Sequence, residues 1–337
     1  MNRVELVKAL EIVKPGLAIK EHIEQSTCFA FLNGNIVTYN DEISVSHPIE
    51  GLSITGAIKA EEFYQVLNKL KKDEIEIAVN GSEVLITSGK AKAGLTLQED
   101  IKMPLDAIGE HGKWKKAPDG LIEAIKFVSF ACSSDASRPI LTCVNVETSG
   151  TIMASDSFRI IKYELGEKIA LTQTFLIPAT TVKRLNDCKP THIAEGQGWI
   201  HFKTAAGTVY SCRTFFGDTF PDTSKVMSVE GEDFELPKAI EEVLDRASIF
   251  SKEEVGISSH VTITIMPKKM LLRGQSNIGW FEEAMNLRYD GPEKKFSIRP
   301  ELLKDVCRML KKCIIGEKAI KFIGDNWEYV GVLEMKE

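Results

Sequence analysis

A cluster of polar side chains near the middle of the chain is the first candidate for chemistry. Ser155, Asp156, Ser157 and Arg159 are close neighbours in sequence, and a serine beside a carboxylate is one component of a nucleophilic site. Such a serine needs a base within hydrogen-bond reach, and no histidine lies near this cluster in sequence. Clusters of Ser and Asp commonly hold turns through bonds from side chain to backbone. We therefore predict a structured turn here.

Two glycine-containing segments match catalytic motifs only in part. Ser88–Ala91 is reminiscent of a phosphate-binding loop, but Ala91 occupies the position of the magnesium-binding Ser or Thr. Gly274–Gly279 does not follow the Gly-x-Ser-x-Gly pattern of a nucleophile elbow. No His-Glu-x-x-His motif occurs, and the Cys and His residues are too widely spaced for a zinc site. We expect no metal, no cofactor and no catalytic residue, although an enzyme with a dispersed site stays open as an alternative.

Composition excludes several classes of protein. The 337 residues carry a net charge of −6, with 43% hydrophobic and 27% charged residues, so the chain is neither a disordered tail nor a uniformly basic coat protein. No run of about 18 apolar residues occurs, which argues against a membrane span. The N-terminal residues lack the apolar region of a signal peptide. Seven cysteines without a Cys-x-x-Cys pair predict buried, reduced thiols in the cytoplasm.

Two kinds of segment occur three times at intervals of about 120 residues. The first is the end of a strand followed by an amphipathic helix, and its copies are Gly56–Leu67, Phe175–Asn186 and Phe296–Cys307. The second is a helix that precedes each of those copies, at Val4–Val13, Leu121–Phe130 and Ile240–Phe250. Two independent segments with nearly the same interval indicate a threefold internal repeat.

Short strands separated by polar turns lie between these helices. Ile75–Val79 and Val84–Thr87 flank Asn80-Gly81, which is a strong hairpin signal. Similar pairs occur at 199–202 with 209–212 and at 261–266 with 269–273. Two helices with several antiparallel strands in each third are typical of an α+β fold. We predict three repeated domains, at 1–114, 115–230 and 231–337.

Charge is unevenly distributed between helices and the rest of the chain. Lysine and arginine exceed aspartate and glutamate in the predicted helices, whereas the remainder is acidic. This pattern suits a protein that contacts phosphates through one surface only. Helix C-termini favour cations in any protein, so charge alone leaves both interpretations open.

Several segments resemble bacterial sliding clamps, the beta subunit of DNA polymerase III. Ala154–Ile160 is similar to the Ala-Thr-Asp-x-His-Arg-Leu signature of that family, and Phe220–Val226 is similar to its Phe-Pro-Asp-Tyr-x-Arg-Val segment. Further similarity at Arg138–Leu141, Ile54–Thr96 and Ala247–Ser251 follows the same order along the chain. The resemblance therefore covers almost the whole sequence.

The resemblance implies three clamp domains per chain and a head-to-tail homodimer that closes a ring around duplex DNA. DNA contact would be independent of sequence, because diffuse Lys and Arg contact only phosphates. The implied partners are double-stranded DNA, the replicative DNA polymerase, the clamp loader and a second copy of the chain, with no membrane. The chain would be a non-catalytic processivity factor in the cytoplasm. The main alternative is a clamp-fold scaffold that does not encircle DNA.

The resemblance also implies three candidate sites, and it assigns the residues of the first by motif position. A partner-peptide pocket would contain Leu141, Ser155, Ser157, Phe158, Arg159, Ile160, Pro221, Lys225, Val226, Val330, Val332 and Leu333. DNA-facing residues would be Lys69, Lys72, Lys90, Lys92, Lys126, Lys183, Arg184, Lys189, Arg246, Lys304, Arg308 and Lys311. The dimer seam would contain Met103, Ile249 and Phe250.

The chain departs from the family pattern within this pocket. Phe158 and Lys225 replace the usual His and Arg, and the tail from Val332 onward differs from the family's Met-Pro-Met-Arg-Leu. We therefore expect the pocket to prefer a partner motif of its own. Without the resemblance, Leu141, Ile160 and Val226 would be interpreted as core residues.

Overall fold

The computed structural model describes residues 1–217, 219–251 and 260–335. The fold is α+β, as the sequence predicts. The helices are α1 (Arg3–Val13), α2 (Ala60–Lys69), α3 (Leu121–Val128), α4 (Ala179–Val182), α5 (Ser224–Met227), α6 (Ile240–Ser248) and α7 (Pro300–Cys307). Short 3₁₀ turns occupy Lys14–Gly16, Leu105–Ile108, Ser129–Ala131 and Pro139–Thr142. No helix in the described ranges is long and apolar enough to cross a membrane.

The strands are short. They are β1 (Cys28–Leu32), β2 (Asn35–Tyr39), β3 (Ile43–Pro48), β4 (Gly56–Lys59), β5 (Glu76–Asn80), β6 (Glu83–Ser88), β7 (Ala91–Thr96), β8 (Lys115–Lys116), β9 (Cys143–Val146), β10 (Thr151–Ser155), β11 (Arg159–Glu164), β12 (Phe175–Pro178), β13 (Pro190–Gly196), β14 (Trp199–Thr204), β15 (Val209–Arg213), β16 (Gly231–Glu235), β17 (Val261–Met266), β18 (Lys269–Ser276), β19 (Gly279–Asn286), β20 (Lys294–Ile298), β21 (Lys312–Gly316), β22 (Ala319–Ile323), β23 (Trp327–Val332) and β24 (Glu334–Met335).

The first of two compact units contains Met1–Phe127, Asn145–Gly150 and Glu167–Gly217. Its large sheet has the strand order β4-β1-β2-β3-β15-β14-β13-β8, and a separate three-stranded sheet has the order β5-β6-β7. Strands β3 and β15 are antiparallel, with Val45 opposite Tyr210. This pairing joins parts of the chain that are far apart in sequence.

The second unit contains Val128–Val144, Thr151–Gly166 and the described residues of Asp218–Glu337. Six strands of its large sheet follow the order β10-β11-β23-β22-β21-β16, and a five-stranded sheet has the order β19-β18-β17-β20-β24. Strands β11 and β23 are antiparallel, so another pair of distant segments is joined. The division into three repeated domains at 1–114, 115–230 and 231–337 stays a prediction.

Local sequence explains where the repeated helices begin and end. Asn2 Oδ1 caps α1 by accepting from the backbone N–H groups of Val4 at 2.9 Å and Glu5 at 3.2 Å. Pro300 occupies the first turn of α7, where its missing N–H costs little. The predicted hairpin signal is also confirmed, because β5 and β6 pair across a turn in which Gly81 has φ +57°.

The second copy of the repeated helix is shorter than the sequence suggests. Helix α4 ends at Val182, although the repeat predicts a helix as far as Asn186. Beyond Val182 the α-helical hydrogen bonds give way to a tighter turn, in which the N–H of Leu185 donates to the carbonyl three residues earlier, that of Val182, at 3.1 Å. Thr180, Thr181 and Val182 are consecutive β-branched residues, which lower helix propensity. The prediction of a full amphipathic helix there is therefore wrong.

Most of the thiols are buried, in agreement with the sequence prediction. Six of the seven cysteines are buried and Cys132 is half-buried. Burial raises the pKa of both Cys188 and Cys307 to about 12. Such thiols stay protonated at neutral pH and are poor nucleophiles.

One buried histidine in the first unit makes stability depend on pH. His201 in β14 is only 2% exposed, and its Nδ1 lies 2.9 Å from Ser211 Oγ. Its Nε2 has no hydrogen-bond partner among the described residues. Burial, assisted by the nearby His111, lowers the pKa of His201 from 6.5 to about 4. The folded chain therefore holds this imidazole neutral where the unfolded chain would protonate it.

We predict that stability falls as the pH drops from about 6.5 towards 4, because only the unfolded chain takes up this proton in that window. The full effect is about 3 kcal/mol. His201→Gln should flatten the pH dependence of the urea unfolding free energy between these limits. The exposed His192→Gln serves as the control. An unchanged slope in the His201 variant would refute this assignment.

Candidate functional site

The loop between β10 and β11 is a turn built by its own side chains. Ser155 Oγ donates to the carbonyl of Arg159 at 2.8 Å. Asp156 Oδ1 accepts from the N–H groups of Phe158 and Arg159, each at 3.0 Å. Ser157 between them adopts φ +79°, an uncommon conformation for a residue with a side chain. The predicted structured turn is confirmed, and its polar groups are engaged in holding the loop.

Arg159 connects this turn to its surroundings. Its Nε donates to Asp156 Oδ2 at 2.9 Å, its Nη1 to Asp305 Oδ2 at 2.6 Å and its Nη2 to the carbonyl of Phe130 at 2.9 Å. The side chain is only 10% exposed. Burial alone would lower the pKa of Arg159, but Tyr329 and the two carboxylates outweigh it, and the pKa is raised. Arg159 therefore remains charged and positions the turn.

Several predicted pocket residues form a buried apolar floor. Ile160 in β11 lies opposite Val330 in β23, and Met227 of α5 packs against both. Leu141 and Leu333 are also buried. Ile160 and Val330 are 3% and 1% exposed, so they support the surface from below. These buried residues are therefore core residues of the second unit, as expected for Leu141 and Ile160 without the resemblance.

Other predicted pocket residues are exposed above this floor. Phe158, Val226 and Val332 are 39%, 53% and 40% exposed. The N–H of Val332 donates to the carbonyl of Phe158 at 2.9 Å, which places the two residues side by side. Val226 immediately precedes Met227, whose side chain reaches the floor. The three apolar side chains thus lie around one part of the second unit.

The remaining predicted pocket residues differ in exposure. Pro221, Lys225 and Ser157 are exposed, and Ser155 is half-buried. All the predicted pocket residues belong to the second unit. Exposed apolar groups over a packed floor are typical of a surface that takes a short peptide.

Two arginines beside this surface were missed by the sequence assignment. Arg138 Nη1 donates to Ser157 Oγ at 2.9 Å. The guanidinium carbon of Arg299 lies 3.4 Å from the centroid of the Phe158 ring. Arg138 belongs to a segment that resembles sliding clamps, so its position offered a signal. Arg299 offered none, since it is remote in sequence from every pocket motif.

The predicted DNA-facing residues of the first unit are mostly free cations. Arg184 donates to the carbonyls of Pro15 at 2.9 Å and Leu17 at 3.1 Å, and Lys126 is half-buried. The other six are exposed and form no ion pair with any described carboxylate; they are Lys69, Lys72, Lys90, Lys92, Lys183 and Lys189.

The predicted DNA-facing residues of the second unit are already paired with carboxylates. Two of these pairs share Glu241, and the others use Glu283 and Asp245. The pairs are Arg246 with Glu283 at 2.8 Å, Lys311 with Glu241 at 2.6 Å, Arg308 with Glu241 at 3.8 Å, and Lys304 with Asp245. Neutralisation by these partners weakens the attraction of this group for phosphates.

The three predicted seam residues differ in their environments. Met103 is 5% exposed and belongs to a core cluster with Tyr39 and Trp199, so it has little surface for another chain. Ile249 is 62% exposed, and Phe250 is half-buried.

Two further exposed apolar residues, which are not among the predicted seam residues, lie near Phe250. A Cβ at Gly279 would lie 3.3 Å from the Phe250 ring, which places the start of β19 against this ring. The neighbours of Gly279, Ile278 and Trp280, are 70% and 59% exposed. Ile249, Phe250, Ile278 and Trp280 are called the seam patch below.

Within 1–217, 219–251 and 260–335, no group of three His, Cys, Asp or Glu side chains is arranged to hold a metal ion.

The chain is similar in sequence and in fold to known proteins. No protein-family model matches the chain. A beta sliding clamp of Lactococcus lactis is 25% identical over 357 aligned positions, covering 96% of this chain and 92% of that protein. A beta sliding clamp of Bacillus subtilis is 28% identical, covering 75% and 71%. The crystal structure of the DNA polymerase III subunit beta from Pseudomonas aeruginosa matches with a TM-score of 0.85 at 18% identity, covering 100% of this chain and 99% of that one.

The fold is therefore that of a DNA polymerase III beta subunit, and it extends over the whole chain. The resemblance to bacterial sliding clamps is confirmed at an identity that marks this sequence as divergent.

We predict that the Arg159 network contributes strongly to the stability of the second unit. Arg159→Met would leave Asp156, whose side chain is 18% exposed, and the half-buried Asp305 without their cation. It should lower the free energy of unfolding in urea by about 3 kcal/mol. Lys102→Met removes a pair with Glu24 in which both side chains are more than half exposed. Because both groups are solvated, this change should cost much less than Arg159→Met. Equal losses in the two variants would contradict the role of Arg159.

Proposed function

We propose that the chain is a DNA sliding clamp that encircles duplex DNA as a head-to-tail homodimer in the cytoplasm and tethers the replicative polymerase. The observation that carries the proposal is the similarity to clamp structures from end to end, with 100% of this chain covered. The chain acts as an accessory subunit and supplies no catalytic group. The clamp loader is the partner that opens and closes such a ring.

Ring closure needs complementary surfaces on the two ends of the chain. β7 and β19 are edge strands of their sheets, and such edges tend to pair with another chain. A head-to-tail contact between β19 of one copy and β7 of the next would satisfy both edges. The seam patch lies at the start of β19 and supplies apolar area for that contact. Met103 is left out of the proposed seam because it is buried.

The apolar surface around Phe158, Val226 and Val332 is the proposed site for partner peptides. The peptide would cover these exposed side chains while the floor of Ile160 and Val330 stays in place. Tethering through this site holds the polymerase on the DNA without any base-specific contact.

If the chain is a sliding clamp, we predict that adding it to the polymerase and loader of the source organism lengthens the products of primer extension. On singly primed circular DNA, one polymerase binding event should extend much further when the chain is present. Val226→Asp should abolish the gain by placing a carboxylate on the peptide surface. Ile323→Asp is a matched control, because Ile323 is 50% exposed and lies on β22 outside the proposed site. A wild-type chain without effect on product length would contradict the function.

We predict that DNA attraction comes chiefly from the free lysines of the first unit. Changing Lys69, Lys72, Lys90 and Lys92 together to Gln should reduce the slope of log affinity against log salt by about 0.9 for each phosphate that the variant no longer neutralises. Changing the four ion-paired cations of the second unit should alter this slope less. The affinity of each variant for a short duplex is measured by fluorescence anisotropy at several salt concentrations. Equal changes of slope in the two variants would show that the ion pairs do not matter.

A further inference from the structure

Arg299 and Phe158 form a stacked pair on the edge of the proposed peptide site. Arg299 precedes Pro300 at the start of α7, and its guanidinium carbon is 3.4 Å from the ring centroid of Phe158. That distance places the guanidinium over the face of the ring. Stacking leaves the N–H donors at the edge of the guanidinium free for a planar acceptor. Phe158 stays 39% exposed, so the stacked pair remains accessible.

Two further cations lie in the same part of the second unit. Arg138 is exposed and is bound to Ser157 through one nitrogen. Lys225 is exposed on α5, next to the exposed Val226. Arg138, Lys225 and Arg299 are called the rim cations below. None of the three forms an ion pair with a carboxylate in the described part of the chain.

The carboxylates near the rim are hydrogen-bonded to other donors, and of the rim cations only Arg138 also acts on one of them, Asp135, through its charge. Asp135 accepts from the N–H of Ser137 at 2.9 Å and from its hydroxyl at 2.8 Å. Asp222 accepts from the N–H of Ser224 at 3.0 Å and from its hydroxyl. Asp156 and Asp305 bind Arg159, as described above. The acids thus have partners, while the rim cations present unused donors.

We propose that the partner segment at this site is an acidic linear peptide whose carboxylates bind the rim cations while its apolar side chains cover Phe158, Val226 and Val332. The inference rests on the proposed function and specifies the chemistry of its partner. Charge-assisted bonds to a carboxylate are stronger than neutral ones, and a guanidinium offers two parallel donors. Arg299 acts as a specificity residue, because it stacks on the aromatic ring of Phe158 and presents donors to the carboxylates of the peptide.

A peptide fits these observations better than a nucleic acid does. Three exposed apolar side chains lie among the rim cations, and a phosphate backbone would gain nothing by covering them. An apolar anchor with flanking carboxylates matches both features of the surface at once.

The test is selection from a random peptide library displayed on phage, with the full chain immobilised. Wild type, Arg299→Gln and Lys269→Gln are compared. Lys269 is exposed, belongs to the five-stranded sheet and forms no ion pair with a described residue, so it is a matched control. The tightest selected peptide is then measured by fluorescence anisotropy beside a version whose Asp and Glu are changed to Asn and Gln.

We expect wild type to select apolar peptides enriched in Asp and Glu, with affinity about fivefold lower for the amide version. Arg299→Gln should reduce that ratio to about twofold, and Lys269→Gln should leave it unchanged. Selected peptides without acidic residues, or an amide version that binds equally well, would overturn the inference and leave the peptide site intact. If no selected peptide loses binding to Val226→Asp, the peptide site itself fails. Weaker duplex DNA binding by Arg299→Gln, with unaltered peptide selection, would assign the rim to DNA and overturn the proposal.

Discussion

Main-chain pairing between strands that are distant in sequence is the constraint on which the rest of the structure depends. In the first unit β3 pairs with β15, and in the second unit β11 pairs with β23. Each pairing continues one sheet across segments that the repeat assigns to different thirds of the chain. The backbone groups of these strands would otherwise be left without partners. The floor of the proposed peptide site is a consequence of this pairing, since Ile160 and Val330 are opposite each other in the β11–β23 register.

The hydrogen bonds of Arg159 fix the position of the surface turn that precedes β11. Strand β11 begins at Arg159, whose guanidinium ties the preceding turn to Asp305 in α7. The same helix begins after Arg299, which stacks on Phe158 of that turn. This short turn is therefore held by Asp156 within it, by Asp305 of α7 and by Arg299, which precedes α7. Its exposed aromatic ring is presented in a fixed place, which lowers the entropy lost on binding a partner.

Elements whose sequence signals are local or periodic were predictable. The Asn80-Gly81 hairpin, the helices α1, α2, α6 and α7, and the Ser155–Arg159 turn were all predictable, because neighbouring residues determine them. The prediction was wrong at α4, where consecutive β-branched residues shorten the helix despite the repeat. Met103 shows another limit, since motif position does not reveal that a residue packs against Tyr39 and Trp199. The contact between Arg299 and Phe158 joins residues that are remote in sequence, so no pattern in the sequence identified it.

The central claim is that the chain binds DNA by enclosing it, and threading onto a linear duplex tests it most directly. The protein is mixed with duplex DNA that carries biotin at both ends, streptavidin is added to block the ends, and the salt concentration is raised to screen the lysine contacts. Protein that encloses the duplex should stay bound at high salt and be released when a restriction enzyme cuts the DNA. Loss of the protein at high salt while both ends are still blocked would contradict the account.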